Sequence, residues 1–158
     1  MELNPEWQYV ADGVMGGISK GGMRQEMFRG RMATVLRGDV SLDNSGGFIQ
    51  IAFDLSSDGA GFNARDWDGV ELDICGNGAR YDIRLRTDQL TRPWQSFRTD
   101  FIASPKWQEH RIAFDAVEAN KTDAIFDPTQ LRRIGILAVG REFQAEVAVA
   151  NVRLYCLP

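Results

Sequence analysis

Few places in this chain carry residues that could do chemistry. The densest glycine segment, Asp12-Gly13-Val14-Met15-Gly16-Gly17-Ile18-Ser19-Lys20-Gly21-Gly22, has the composition of a phosphate cradle. Phosphate-binding loops place their glycines between a strand and a helix, at G-x-G-x-x-G or G-x-x-x-x-G-K-[ST] spacing. Neither spacing nor a following helix is present. Two readings remain: a tight loop whose glycines permit close backbone approach, or the rim of a ligand or partner site to which Asp12, Met15 and Ser19 would contribute. General-base chemistry has one histidine available, His110, and it alternates with Ile112 and Phe114 on an apolar side. No G-x-S-x-G elbow accompanies it. Cys75 and Cys156 belong to no C-x-x-C pair and have no histidine nearby, so both read as reduced, mostly buried thiols and not as a zinc site. Asp66-Trp67-Asp68-Gly69 carries a fragment of a calcium loop without its remaining ligands and reads as a turn entering a strand. No catalytic residue, metal or cofactor is expected.

The richer pattern is polar and sits on strands. Glu71 and Asp73 alternate with Val70, Leu72 and Ile74, while Asp82, Arg84 and Arg86 alternate with Tyr81, Ile83 and Leu85. If the two strands are neighbours, these charges pair across them, each pair contributing about 0.2 to 1 kcal/mol with no function required. The other reading takes Trp94, which follows Arg92-Pro93 and precedes Gln95, as an aromatic platform beside the arginines. Arg84, Arg86, Trp94 and Gln95 then suit a polyol, a sugar or a peptide. Trp7 and Trp107 flank apolar alternations and read as core or edge anchors.

Elements that alternate with period two must position these groups. Candidate strands are 32–36, 48–55, 70–75, 81–86, 95–101, 109–114, 133–139 and 145–155, the last with an irregularity near Asn151. Ile49, Ile51, Phe53 and Leu55 share one face of the 48–55 segment, opposite Gln50 and Asp54. Turn-forming clusters separate the runs: Asp43-Asn44-Ser45-Gly46-Gly47, Ser57-Asp58-Gly59, Gly76-Asn77-Gly78 and Asp127-Pro128. No long helix is indicated; short helical turns fit 128–131 and 64–66. This is the spacing of an all-β sandwich.

Size and charge narrow the function. With 158 residues, 44% hydrophobic and 25% charged, the chain suits a single globular domain spanning 1–158. A formal net charge of -4 gives no general attraction to phosphate backbones, so no nucleic-acid partner is expected. The longest nearly apolar stretch, 134–139, is far short of the roughly 20 residues that cross a bilayer, so no membrane insertion is expected. The N-terminus lacks the basic and apolar regions of a secretory signal and carries acidic residues, which fits a cytoplasmic location in a bacterium, with any membrane association made through a partner.

Several segments together resemble a known family. Trp7, Asp12-Gly13-Val14-Met15-Gly16-Gly17-Ile18-Ser19, Phe28-x-Gly30 and Leu42-x-Asn44-x-Gly46-Gly47-Phe48 are similar to blocks of the complex I intermediate-associated protein family. Trp67-Asp68-Gly69-Val70, Gly76-Asn77-Gly78-x-x-Tyr81-x-Ile83-x-Leu85-Arg86, the Trp107 strand ending in Phe114, and Ile134-Gly135-Ile136 with Phe143 agree with it. The resemblance implies a jelly-roll β-sandwich of the galactose-binding-domain-like type, similar in architecture to carbohydrate-binding modules. It also implies a non-catalytic role as assembly factor or chaperone for a respiratory NADH:ubiquinone oxidoreductase or another client complex. The family offers no catalytic residues to carry over. Between Val117 and Asp127 this sequence departs from it, with Glu118-Ala119-Asn120-Lys121-Thr122-Asp123 where relatives tend to carry a basic stretch. The expected partner is a protein client, respiratory-complex subunits among the candidates, and the alternative is a small polar ligand or sugar bound on one face of the sandwich. The expected working surface joins Asp12, Met15, Ser19 and Asn44 with Arg84, Arg86, Trp94 and Gln95.

Overall fold

The computed structural model describes the backbone of residues 1–158 and all side chains except those of Val14, Met15 and Ser45. Eleven strands run in chain order: β1 (Gln8–Ala11), β2 (Lys20–Phe28), β3 (Arg31–Val40), β4 (Phe48–Asp54), β5 (Gly69–Gly76), β6 (Arg80–Thr87), β7 (Ser96–Ile102), β8 (Gln108–Ala113), β9 (Glu118–Asn120), β10 (Leu131–Val139) and β11 (Phe143–Tyr155). They form two antiparallel sheets. One has six strands in the order β1-β4-β10-β6-β7-β9, the other five in the order β2-β3-β11-β5-β8.

The period-two faces meet between the sheets. Ile49, Ile51 and Phe53 of β4, Ile83 and Leu85 of β6, and Ile134 and Ile136 of β10 are buried against Leu72 and Ile74 of β5 and Val147, Val152 and Leu154 of β11. Each such side chain gives about 1.5 to 3 kcal/mol on leaving water, so the alternation fixes which face of every strand turns inward. Trp7 joins this core edge-on to Phe53, with ring centroids 4.8 Å apart. Tyr81 is also inside; its hydroxyl donates to Asn77 Oδ1 and accepts the Glu146 amide, both at 2.8 Å, and burial pushes it up to about 12.

Three expectations change. β5 and β6 are not neighbours: β5 lies between β11 and β8, and β6 between β10 and β7. The intervening Gly76-Asn77-Gly78 turn does not fold one strand back on the other. Its Gly76 and Gly78 amides donate to Ser104 O and Ala103 O at 2.8 and 2.7 Å, and the chain crosses to the opposite sheet. Glu71 and Asp73 therefore cannot pair with Arg84 and Arg86. Secondly, Cys156 is exposed, because it follows the last strand; Cys75 is buried as expected, and both thiols are free. Thirdly, residues 64–66 form a turn without a helix, whereas Pro128–Gln130 is the short helical turn anticipated there, capped by Asp127.

Each sheet holds one β-bulge. The pairing of β11 with β5 shifts between Val149 and Val152, at the irregularity foreseen near Asn151, and that of β10 with β6 shifts between Leu131 and Arg133. Both bulges put two residues, not one, between consecutive core side chains, which turns an extra side chain outward.

Candidate functional site

The glycine-rich signature is built around Asp12. Its carboxylate is fully buried and accepts four hydrogen bonds: from the Ser19 hydroxyl at 2.5 Å and from the amides of Ser19, Gly47 and Phe48 at 3.1, 2.6 and 3.3 Å. Burial alone would raise this carboxyl, but the four donors outweigh it and hold it below the ordinary aspartate value. Gly17 and Gly46 must be glycines because a Cβ on either would come within 2.4 Å of the Asp12 carboxylate. Asp12 thus joins the 12–19 loop to the 43–48 turn, and the tight-loop reading accounts for both Asp12 and Ser19. Asp12 is closed off from solvent, and the partly exposed Ser19 uses its hydroxyl on Asp12. Asn44 is exposed, with φ of 55° in the 43–45 turn, and the Met15 side chain lies outside the described residues.

These loops do not meet the Arg84 group. Asp12 and Phe48 lie at one end of the six-stranded sheet, and Arg86 pairs with Arg133 opposite Asp54 at the other. Phe48 to Asp54 is seven residues, roughly 20 Å from first to last at strand rise. The single working surface expected from sequence is therefore two separate regions.

The second region is the outer face of the six-stranded sheet. Register places Gln8, Ala52, Gly135, Arg84 and Arg98 in one row across it, flanked by the rows Gln50, Leu137, Asp82 and Asp54, Arg133, Arg86. Asp82 anchors the face. Arg98 grips both its oxygens, at 2.7 and 2.9 Å, and Arg84 donates to Oδ2 at 2.9 and 3.1 Å. Burial works to raise Asp82, but the two guanidiniums outweigh it and hold the group charged below its ordinary value. Arg86 forms no ion pair among the described residues. Its Nη1 donates to the carbonyls of Arg92, Pro93 and Gln95 at 2.9, 3.0 and 2.6 Å, which fixes the 92–95 turn. The Gln95 amide oxygen in turn accepts from the Thr91 and Arg92 amides, so Gln95 is a loop brace. The product of this bracing is Trp94, held 55% exposed beside the face. Gln8 and Gln50 have side-chain amides with no hydrogen-bond partner among the described residues. Arg98, Arg133 and Gln50 were not singled out from sequence, although each occupies the outward position of a period-two strand.

The outer face of the five-stranded sheet is organised differently. Arg153 bridges Glu71 and Asp73; Arg111 pairs with Glu71 at 2.6 Å and Arg31 with Asp73 at 3.0 Å, and Asn151 donates to Asp73 at 2.8 Å. Glu71 and Asp73 are buried under these partners. Against the effect of burial, hydrogen bonds from Arg153, Asn151 and Arg31 pull Asp73 down to about 2. Arg31 also covers the Trp107 ring at 4.8 Å, and Trp107 donates to the carbonyls of Phe28 and Arg29, so Trp107 is the edge anchor expected. His110 packs on Phe101 with centroids 5.3 Å apart, facing inward as its alternation predicts. An open cleft of about 610 Å³ between the N-terminal segment and the β2–β3 hairpin, lined by Leu3, Pro5, Trp7, Met32 and Thr34 among others, contains none of the residues of the working surface expected from sequence.

Among the described residues, no group of three or more acidic, histidine or cysteine side chains could hold a metal ion. No helix is long and apolar enough to cross a membrane.

Comparison with solved structures confirms the jelly-roll architecture. The family 11 carbohydrate-binding module from Clostridium thermocellum, solved with a β-1,3-1,4-mixed-linked tetrasaccharide, superposes with a TM-score of 0.76 at 12% identity, covering 98% of this chain and 94% of that one. A family 30 carbohydrate-binding module gives 0.69 at 13% identity, covering 100% and 87%. An agarase, AgWH50C, gives 0.64 at 12% identity over 99% of this chain and 23% of the enzyme. No curated protein matches significantly. Identities this low establish the fold alone. The sequence itself goes further, because residues 2–148 match the family model described as Complex I intermediate-associated protein 30, and the chain belongs to that family.

Proposed function

We propose that residues 1–158 form one non-catalytic binding domain that docks a protein client through the outer face of its six-stranded sheet. The client proposed is a respiratory NADH:ubiquinone oxidoreductase subunit or another complex under assembly, with the domain acting as assembly factor or chaperone. Family membership supports the client class. One observation carries the face: its outward polar groups keep unused hydrogen-bonding capacity, in the Gln8 and Gln50 amides, while a braced turn holds Trp94 in solvent. Exposed Trp and Arg beside polar side chains are the residue types that dominate protein interfaces. The Arg84–Asp82–Arg98 cluster supplies a rigid charged centre.

A second reading, a small polar ligand or sugar, is favoured by the exposed Trp94 alone. The outward positions of the face itself carry Gln, Arg, Asp, Ala, Gly and Leu and offer no tryptophan or tyrosine on which a sugar ring could stack. Affinity purification of the tagged chain from its native host, with crosslinking and mass spectrometry, tests the first reading. Respiratory-complex subunits recovered with the wild type and lost with Arg84→Glu or Trp94→Ala support it. Recovery of nothing above background, together with saturable binding in a metabolite and glycan screen, would replace it with the second.

A further inference from the structure

The bulge in β10 crowds like charge into one corner of this face. Leu131 and Ile134 are both fully buried in the core, and two residues separate them where regular alternation would place one. Arg132 and Arg133 therefore both turn outward, beside Arg86 of the neighbouring strand. Only one of the three is neutralised. Arg133 pairs with Asp54 at 2.9 Å. Arg86 is half-buried and meets carbonyls through Nη1 alone; its Nε and Nη2 have no partner among the described residues. The Arg132 guanidinium has no hydrogen bond or ion pair among them either. Asp88, just past β6, accepts the Gly61 amide at 2.8 Å and makes no ion pair with these arginines among the described residues. The crowding of like charge is felt: burial first, then Arg132 and Arg133, lower the Arg86 guanidinium below its ordinary value. An arginine is still protonated at neutral pH under such a shift, so the corner keeps three cations against one carboxylate.

We propose that Arg86, Arg132 and Arg133 form a site for a doubly charged oxyanion, either a phosphoryl group or a pair of close carboxylates. Guanidinium forks match the geometry of both, and charge-assisted hydrogen bonds to them are stronger than neutral ones. The net charge of the corner matches a dianion. Its Trp94-bearing rim and position place it on the binding face proposed above, on which its biological use rests, but its affinity for a small anion does not depend on any client.

The test is a titration of the full chain with inorganic phosphate, with succinate, and with chloride at matched ionic strength, read by amide and arginine side-chain NMR shifts. Saturable shifts at residues 86, 92–95 and 131–133 are expected with phosphate or succinate and not with chloride, and the tighter of the two identifies the group. Arg132→Gln, which breaks no side-chain hydrogen bond or ion pair among the described residues, is expected to weaken this binding about tenfold, as for the loss of one charge-assisted fork. Lys106→Gln, which removes an exposed cation in the loop before β8 and outside this face, is expected to leave it within about twofold. Equal shifts with chloride, or an Arg132→Gln affinity equal to the wild type, would overturn the site. Anion binding without any client crosslinked to this face would refute the docking proposal and leave the site standing; client crosslinks without anion binding would do the reverse.

Discussion

The two outer faces of the sandwich use nearly the same residue types to opposite ends. On the five-stranded sheet, Arg31, Arg111 and Arg153 close over Glu71 and Asp73, and rings of Trp107 and Tyr155 lie under two of the guanidiniums. On the six-stranded sheet only Asp82 is enclosed, and Arg86 and Arg132 meet no carboxylate. The two bulges make the contrast concrete. In β11 the extra outward residue is Asn151, used to satisfy Asp73; in β10 it is Arg132, whose side chain has no hydrogen bond or ion pair among the described residues. Charges that meet inside the chain hold the fold, whereas charges left unmet are available to something outside it.

Substitutions should separate the faces by size of effect. Arg153→Met removes the guanidinium shared by Glu71 and Asp73 and leaves two covered carboxylates short of partners, so a loss of about 3 kcal/mol is expected in urea unfolding, at the low end for a broken buried pair. On the other face, Asp82→Asn keeps the shape of its side chain but removes the charge gripped by Arg84 and Arg98; about 1 to 2 kcal/mol is expected from the same measurement, since both arginines reach solvent. Acid should act through every carboxylate held low, Asp12 and Asp82 as well as the pair on the closed face. Glu71 and Asp73 titrate lower when folded than unfolded, so the stability they confer is complete above their unfolded values near 4 and is lost as pH falls through their folded values, about 2 for Asp73. Thermal melts between those limits should fall steeply for the wild type and less steeply for Arg153→Met. The smallest changes should come from Arg132→Gln and Trp94→Ala, each within about 0.5 kcal/mol of wild type because neither side chain supports a buried contact. A large loss from either would place it in the stabilising network and erase the distinction.

Much of this was legible in sequence, and the failures have physical causes. The eight strands that alternate apolar and polar residues were found because burial on one face imposes the pattern. β1, β2 and β9 were missed: they are sheet edges, and β2, with Gly21, Gly22, Arg24 and Glu26, is solvated along most of its length and has no face to reveal. Glu71, Asp73, Asp82, Arg84 and Arg86 were read correctly as outward, but pairing depends on which strands become neighbours, and a glycine-asparagine turn looks the same whether the chain folds back or crosses between sheets. The signature glycines did mark close packing. That their centre is a buried carboxylate could not be read, since Asp12 meets Gly47, 35 positions further along, only once the intervening chain has folded. The arginine corner had a signal that alternation overlooks: two consecutive polar residues between Leu131 and Ile134 announce a bulge.

The central claim is that the six-stranded face, not its closed counterpart, meets the partner. A photo-crosslinking amino acid at Gln50, and in a second protein at Glu109 on the five-stranded face, would test it most directly in the native host, with the crosslinked products identified by mass spectrometry. Specific adducts from position 50 that disappear with Arg84→Glu, and none from position 109, are predicted. Adducts confined to position 109 would contradict the account and move the interface to the face assigned to stability.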